Sequence, residues 1–146
     1  MISKATQFVV PLANKPGTLA RLCSVLGDAE VNIVGVFAPE AKGTALARVM
    51  VVNVDGARAA LKKAKIRFSE EEVLKVELDN RPGAFGELAG KLAQKKLNIR
   101  YAYATTAPFA RANVVVAVSD IDRALEALKQ KRIWDLSHLG KIESIS

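Results

Sequence analysis

The chain has 146 residues, half of them apolar, and its 22 lysines and arginines against 15 acidic residues give a formal net charge of +7. It is long enough for one or two small domains with a real core, and without a signal peptide or the ~20 apolar residues of a membrane span we expect a cytoplasmic protein. The single cysteine, Cys23, excludes intrachain disulfides and cysteine-rich metal sites.

The first half of the chain predicts six elements in the order strand, helix, strand, strand, helix, strand. Apolar residues at every second position indicate strands, and apolar residues at helical spacing, such as Leu22 and Leu26 with Leu19 and Ala29, indicate an amphipathic helix. Asp55 is the expected N-cap of the second helix. The expected bounds are 6–12, 17–30, 32–38, 44–54, 56–64 and 66–72.

The second half repeats the first at a shift of 66 residues. "NKPGTLARLCSVLGDAEVNI" begins at Asn14 and "NRPGAFGELAGKLAQKKLNI" begins at Asn80, and they share seven of twenty positions where composition alone would give about one. In the second copy, Phe85, Leu88 and Leu92 continue the helical spacing. The flanking strands match too, and so does the later helix after a one-residue slip, with Asp122 as its expected N-cap.

Two repeats of this kind predict an α+β protein with two ferredoxin-like βαββαβ domains, each an antiparallel four-stranded sheet with both helices on one face. We expect the first domain over 1–70, the second over 71–136 and a C-terminal tail over 137–146. The junction "KIRFSEEEVLKVEL" has no Gly, Pro or flexible spacer, so one strand should run almost directly into the next. The side chains expected in the core are Phe8, Leu12, Leu22, Leu26, Ile33, Leu78, Leu88, Leu92 and Ile99.

The most specific feature is Asn-x-Pro-Gly, which stands between a strand and a helix in both halves. These residue types favour turns, so one copy alone indicates only a turn. However, a loop at a helix N-terminus also directs backbone N–H groups at a carboxylate, and an asparagine side chain can bond an ammonium or an oxygen. The repeated loop therefore indicates either a structural turn or a site that holds both ends of an amino acid.

The stretches "VPLANKPGTLARLCSVLGDAEVNIVGV" and "VELDNRPGAFGELAGKLAQKKLNIRYAY" resemble the ACT domain, a βαββαβ regulatory module that binds amino acids. The resemblance covers residues 6–134, and the doubled signature is similar to a stand-alone tandem ACT protein. It implies an allosteric regulator, not an enzyme, that binds a small amino acid where its domains meet and needs no cofactor or metal. It also implies a homodimer formed through sheet or helix faces.

The resemblance further implies which residues bind the ligand. In ACT domains the ligand lies between the first loop of one domain and the second strand of its partner. Carried over to this sequence, one site consists of Asn14, Lys15, Pro16, Gly17, Arg100 and Tyr101. The other consists of Asn80, Arg81, Pro82, Gly83, Val34 and Gly35. Because the strand residues differ between the two sites, the binding need not be symmetric.

Three other functions were weighed against this one. A regulatory subunit for a separately encoded enzyme of amino-acid metabolism fits the residues equally well. An RNA-binding ferredoxin-like domain needs aromatic residues on its central strands, but "TALARVMVV" and "ARANVVVAV" have none, and the basic residues are spread over three helical segments. An enzyme needs a catalytic group of residues, and the only histidine, His138, lies in the tail. We therefore expect neither a nucleic-acid nor a membrane partner.

Overall fold

The computed structural model describes residues 1–40, 42–105 and 111–129. The order of its elements confirms the predicted α+β fold of two ferredoxin-like repeats. Among the described residues, no helix is long and apolar enough to cross a membrane. The predicted tail, 137–146, and the last strand of the second repeat fall outside the described residues. The elements are β1 (Ile2–Ala13), α1 (Thr18–Asp28), β2 (Ile33–Phe37), β3 (Thr44–Val51), α2 (Val54–Lys63), β4 (Ser69–Leu78), α3 (Ala84–Gln94), β5 (Ile99–Thr105) and β6 (Ala112–Val118), followed by α4 over 121–129.

The chain divides into two compact units. The first unit is Thr6–Glu72, and the second unit is Met1–Ala5 together with the chain from Val73 onward. The predicted junction after residue 70 is two residues away from this division, while residues 1–5 lie in the second unit and not in the first. Two strands in close succession were predicted here, and the structure instead has one strand, β4, over Ser69–Leu78.

In the first unit, both helices pack on one face of the sheet. β1 and β3 are antiparallel, with Phe8 opposite Val49 and Val10 opposite Ala47. These residues alternate along their strands, and they form one core with Leu22 of α1 and with side chains of α2. Period-two strands and amphipathic helices thus bury their apolar sides against each other, as the sequence pattern predicted.

The second unit repeats this packing. β4 and β6 are antiparallel, with Val76 opposite Val114, and their core includes side chains of α3 and α4. Within the second unit the Glu77 N–H donates to the Met1 carbonyl oxygen at 2.9 Å, and Ile2 packs against the core. The first five residues therefore contribute to the sheet and to the core of this unit.

The predicted core residues are confirmed in two grades. Phe8, Leu22, Leu26, Leu88 and Leu92 are buried, whereas Leu12, Ile33, Leu78 and Ile99 are partly buried and pack against the two cores. Three other apolar positions of the helical spacing, none of them in the predicted core, are exposed: Leu19 at 40%, Phe85 at 41%, and Ala29. Leu19 and Phe85 are each the second residue of their helix, next to an exposed loop.

The N-caps of α2 and α4 are two residues earlier than the sequence pattern predicted. Asn53 caps α2, since its Oδ1 accepts from the Gly56 N–H at 2.9 Å. In the same way, the Asp120 Oδ1 accepts from the Arg123 N–H at 3.1 Å. Each cap residue reaches the N–H three positions on, which is the usual capping geometry. Asp55 instead lies in the first turn, where its negative charge is favourable near the helix N-terminus.

An exposed ion pair in the first unit makes its stability depend on pH. The Glu70 carboxylate accepts hydrogen bonds from Arg58 at 2.8 and 2.7 Å, and these bonds lower the pKa of Glu70 below its ordinary value of 4.5. The stabilisation is therefore present above about pH 4.5 and is lost as the pH falls through the lower folded pKa.

We expect Glu70→Gln to be less stable than the wild type at neutral pH and the difference to vanish in acid. Thermal unfolding of both proteins at a series of pH values measures this, and the double variant Arg58→Gln/Glu70→Gln serves as the control without the pair. A stability difference that stays constant from neutral pH to about pH 3 would contradict the assignment.

Candidate functional site

The first Asn-x-Pro-Gly loop joins β1 to α1 through a tight, hydrogen-bonded turn. The Lys15 N–H donates to the Ala13 carbonyl at 2.8 Å, and the Asn14 N–H donates to the Gly43 carbonyl at 2.7 Å. The Thr18 hydroxyl donates to the Ala13 carbonyl at 2.8 Å. Asn14, Lys15, Pro16 and Gly17 are all exposed. The loop is therefore held in place from within while its predicted site residues face solvent.

The second loop has the same backbone geometry between β4 and α3. The Arg81 N–H donates to the Asp79 carbonyl at 2.9 Å, which is the counterpart of the Lys15 bond. Asn80, Arg81, Pro82 and Gly83 are again exposed. The recurrence of one turn in two different sequence surroundings means that the shared residues, and not the neighbours, set this conformation.

A glycine in the left-handed conformation begins each helix. Gly17 has φ 92° and Gly83 has φ 84°, and each is an N-cap without a side-chain capping hydrogen bond. A backbone of this kind favours glycine over any L residue. Asn14 and Asn80 therefore do not cap the helices. The helix N-termini carry the partial positive charge that favours an anion.

The two loops differ strongly in charge. Beside the second loop, the Arg111 Nε lies 2.7 Å from the Glu77 carboxylate and its Nη1 lies 2.9 Å from Asp79. Arg81 pairs with Glu87 at 2.7 Å, and the hydrogen bond from that carboxylate raises the pKa of the Arg81 guanidinium. In the first repeat, the positions of Glu77, Asp79 and Glu87 are taken by Pro11, Ala13 and Arg21.

The second loop is thus braced by ion pairs, whereas a threonine hydroxyl braces the first. Three residues of this region were not predicted from the sequence: Glu77, Glu87 and Arg111. The available signal was the pair of acidic residues at alternate positions, Glu77 and Asp79, just before the loop, with an arginine just before the strand that pairs with β4. Paired acidic residues at the end of a strand call for a cation nearby.

The strand residues of the predicted sites lie where the pairing of neighbouring strands is irregular, at equivalent positions of the two repeats. The pairing register shifts between Ile33 and Gly35 in β2, and between Ile99 and Tyr101 in β5. Val34 is 45% exposed, and the guanidinium carbon of Arg100 lies 5.8 Å from the Tyr101 ring centroid. Bulges often mark functional sites because they redirect side chains.

Each loop and the strand residues predicted for it belong to different units. Val34 and Gly35 are in the unit of the first loop, and Arg100 and Tyr101 are in the unit of the second loop. The predicted combination of each loop with the strand of the other repeat stays a prediction.

Comparison with known proteins adds independent evidence on the fold. Residues 3–138 match the family model of the ACT domain pair. The crystal structure of protein BT0572 from Bacteroides thetaiotaomicron is similar, with 29% identity, a TM-score of 0.84 and coverage of 90% of each chain. A search of proteins with curated function gave no match.

Two more distant structures share the fold. The ligand-free regulatory subunit of aspartate kinase from Thermus thermophilus has 16% identity and a TM-score of 0.60, over 89% of this chain and 96% of its own. The regulatory subunit of aspartate kinase from Thermus flavus has 18% identity and a TM-score of 0.58, over 89% and 94%. Since the family match spans nearly the whole sequence, this chain belongs to the ACT domain pair family.

Proposed function

We propose that this protein is an amino-acid-binding regulator and that its two Asn-x-Pro-Gly loops hold the ligand. The observation that carries the proposal is the recurrence of one exposed turn, with a left-handed glycine at a helix N-terminus, in both units. A turn needed only to connect a strand to a helix tolerates many sequences. The same asparagine stands beside this helix N-terminus in both units, where its side chain can serve a ligand.

The chemistry of the loop suits a free amino acid. Backbone N–H groups in the first turn of α1 or α3 bind a carboxylate, because the helix dipole favours negative charge there. The asparagine carbonyl oxygen accepts from an ammonium, and its NH₂ donates to an oxygen. The proposed site residues are therefore Asn14, Lys15, Pro16 and Gly17 in the first unit, and Asn80, Arg81, Pro82 and Gly83 in the second.

We further propose that the ligand acts on a separately made enzyme of amino-acid metabolism, to which this chain is a non-catalytic partner. Two solved structures that share the fold are named regulatory subunits of aspartate kinase, and these names support a partner of that kind. A regulated complex of this kind exists in an active and an inactive state. A ligand shifts the equilibrium between these two states only by the difference in its affinity for them. The predicted homodimer is tested at the same time by sedimentation of the protein with and without ligand.

The test begins with a thermal-shift screen against the twenty amino acids. A ligand present at about 100 times its dissociation constant adds about 2.7 kcal/mol to the free energy of unfolding, which is readily detected. Calorimetric titration with the amino acid that stabilises the protein then gives its affinity. If no amino acid binds at millimolar concentration, the proposal fails and a role in binding another protein becomes the better account.

Asn14→Ala and Asn80→Ala are expected to weaken amino-acid binding by roughly tenfold to a hundredfold. Each removes a hydrogen-bond partner of a charged ligand group, which is worth about 1.5–3 kcal/mol. The matched controls are Asn32→Ala and Asn98→Ala, because these asparagines are also repeated and exposed but lie beyond the other end of α1 and α3. Equal affinities in the wild type and both loop variants would rule out the proposed site.

A further inference from the structure

The second unit contains a small cavity directly behind its Asn-x-Pro-Gly loop. The cavity has a volume of about 160 Å³ and lies between β4, α3 and the first residues of β1. Ala84, the first residue of α3, is one of its walls and is 7% exposed. The cavity thus shares the loop and the helix N-terminus with the proposed ligand site, but it lies on the core side of them.

The inner part of the cavity is apolar. Val76, Leu88 and Leu128 line it and are each less than 5% exposed, while Ile2 and Leu78 line it and pack against the same core. Among the described residues, Ile2 both packs against the core of the second unit and lines this cavity. The cavity is thus a space between apolar side chains that an aliphatic group can enter.

The rim of the cavity carries two positive and two negative side chains. Arg81 and Lys91 supply the positive charges, and Glu77 and Glu87 supply the negative charges. The pair between Arg81 and Glu87, at 2.7 Å, holds two of these groups in fixed positions. A guanidinium has five N–H donors, so Arg81 can bond a ligand carboxylate while it keeps Glu87. A rim with both signs matches a zwitterion better than an anion.

We infer that the second unit binds an aliphatic amino acid, whose side chain enters this cavity and whose charged groups meet the rim and the loop. The inference rests on the proposed function and adds to it the class of ligand and the residues that select it. Sites for drug-sized molecules and cofactors usually occupy about 300–1,000 Å³, so the smaller volume favours a single amino acid over a nucleotide. Val76, Leu88 and Leu128 then reject polar side chains, because a buried polar group without a partner is costly.

The cavity is tested by filling it. Ala84→Leu adds apolar volume at the wall, and we expect it to weaken L-leucine binding at least tenfold relative to the wild type. The matched control is Ala93→Leu, the same change at an exposed position of α3, which should leave the affinity unchanged. If thermal unfolding shows that Ala84→Leu does not fold, Arg81→Gln replaces it, because Arg81 is exposed. Its loss should weaken the binding of L-leucine by a similar factor.

A methyl NMR titration with L-leucine and with glycine locates the ligand directly. Leucine should shift the methyl signals of Val76, Leu88 and Leu128, whereas glycine should leave them in place. If an amino acid binds and Asn80→Ala weakens it, but these methyl signals do not move and Ala84→Leu has no effect, then the cavity inference fails and the proposed function stands. If no amino acid binds the wild type, both fail.

Discussion

Unfolding of the Leu88→Ala and Leu22→Ala variants is expected to require about 2–5 kcal/mol less free energy than that of the wild type. Leu22 is 1% exposed in the core of the first unit, and Leu88 is 4% exposed in the core of the second. Each truncation removes apolar contacts and leaves a hole that the surrounding side chains fill only in part. Denaturant titration of the purified variants gives the loss.

A matched control is available three residues earlier on the same helix. Leu19→Ala makes the identical chemical change in α1, but at a side chain that is 40% exposed, so its cost should stay below about 1 kcal/mol. Phe85 offers the equivalent position in α3, at 41% exposure. Losses below about 1 kcal/mol for both Leu22→Ala and Leu88→Ala would show that the helices are packed by another face.

Leu19 also shows that helical periodicity alone does not predict which residues of an apolar face are buried. Leu19, Leu22 and Leu26 lie along one side of a helix, so periodicity alone places all three in the core. Burial depends in addition on whether another element covers that part of the helix, and Leu19 sits in the first turn beside an exposed loop. The same difference recurs at Phe85, which makes it a property of the repeat and not of one residue.

The repeat and its fold were predictable because both rest on local signals. Alternation in β1 and helical spacing in α1 and α3 give the elements, and their order gives the topology. The unit to which Met1–Ala5 belongs was not predictable, since a strand's alternation says which face is apolar but not which strand it pairs with. The first five residues belong to the second unit because they contact β4, where the Glu77 N–H donates to the Met1 carbonyl oxygen 76 positions away in the chain.

Some features of the candidate site were likewise predictable from the sequence, and others were not. The two glycines with positive φ and the shared turn were expected from Asn-x-Pro-Gly, because few residues adopt that conformation. The ion pairs around the second loop were not expected, since Arg111 reaches Asp79 from 32 positions further along the chain. Contacts of that kind depend on strand pairing between β4 and β6 and leave no trace in a local motif.

The contacts that brace the two loops consequently differ in their sensitivity to salt. Arg111 and Arg81 brace the second loop through exposed carboxylates, and exposed pairs of this type are screened by salt. Thr18 braces the first loop through a neutral hydroxyl, which salt does not screen. The two proposed ligand positions are therefore equivalent in backbone but not in charge, and the affinities of the two loops should differ.

Gly17→Val and Gly83→Val are expected to abolish amino-acid binding at their loops. A Cβ at either position meets no protein atom within 4 Å, so it projects into open space beside the backbone to which the proposed ligand would bind. The new side chain therefore obstructs the ligand without a steric clash inside the protein. The backbone itself adds a second effect, because a β-branched residue at φ 92° or 84° is strained by about 1–3 kcal/mol.

The control that separates these two effects is Gly90→Val. Gly90 is exposed in the interior of α3, and an added Cβ there also meets nothing within 4 Å, but its backbone is helical and suits any L residue. Its stability should change by less than about 0.5 kcal/mol, because valine and glycine are both modest helix formers. Calorimetric titration and thermal unfolding of the three variants measure both quantities. A Gly83→Val protein that is destabilised as expected, yet binds with wild-type affinity, would show that this loop needs its glycine only to make the turn.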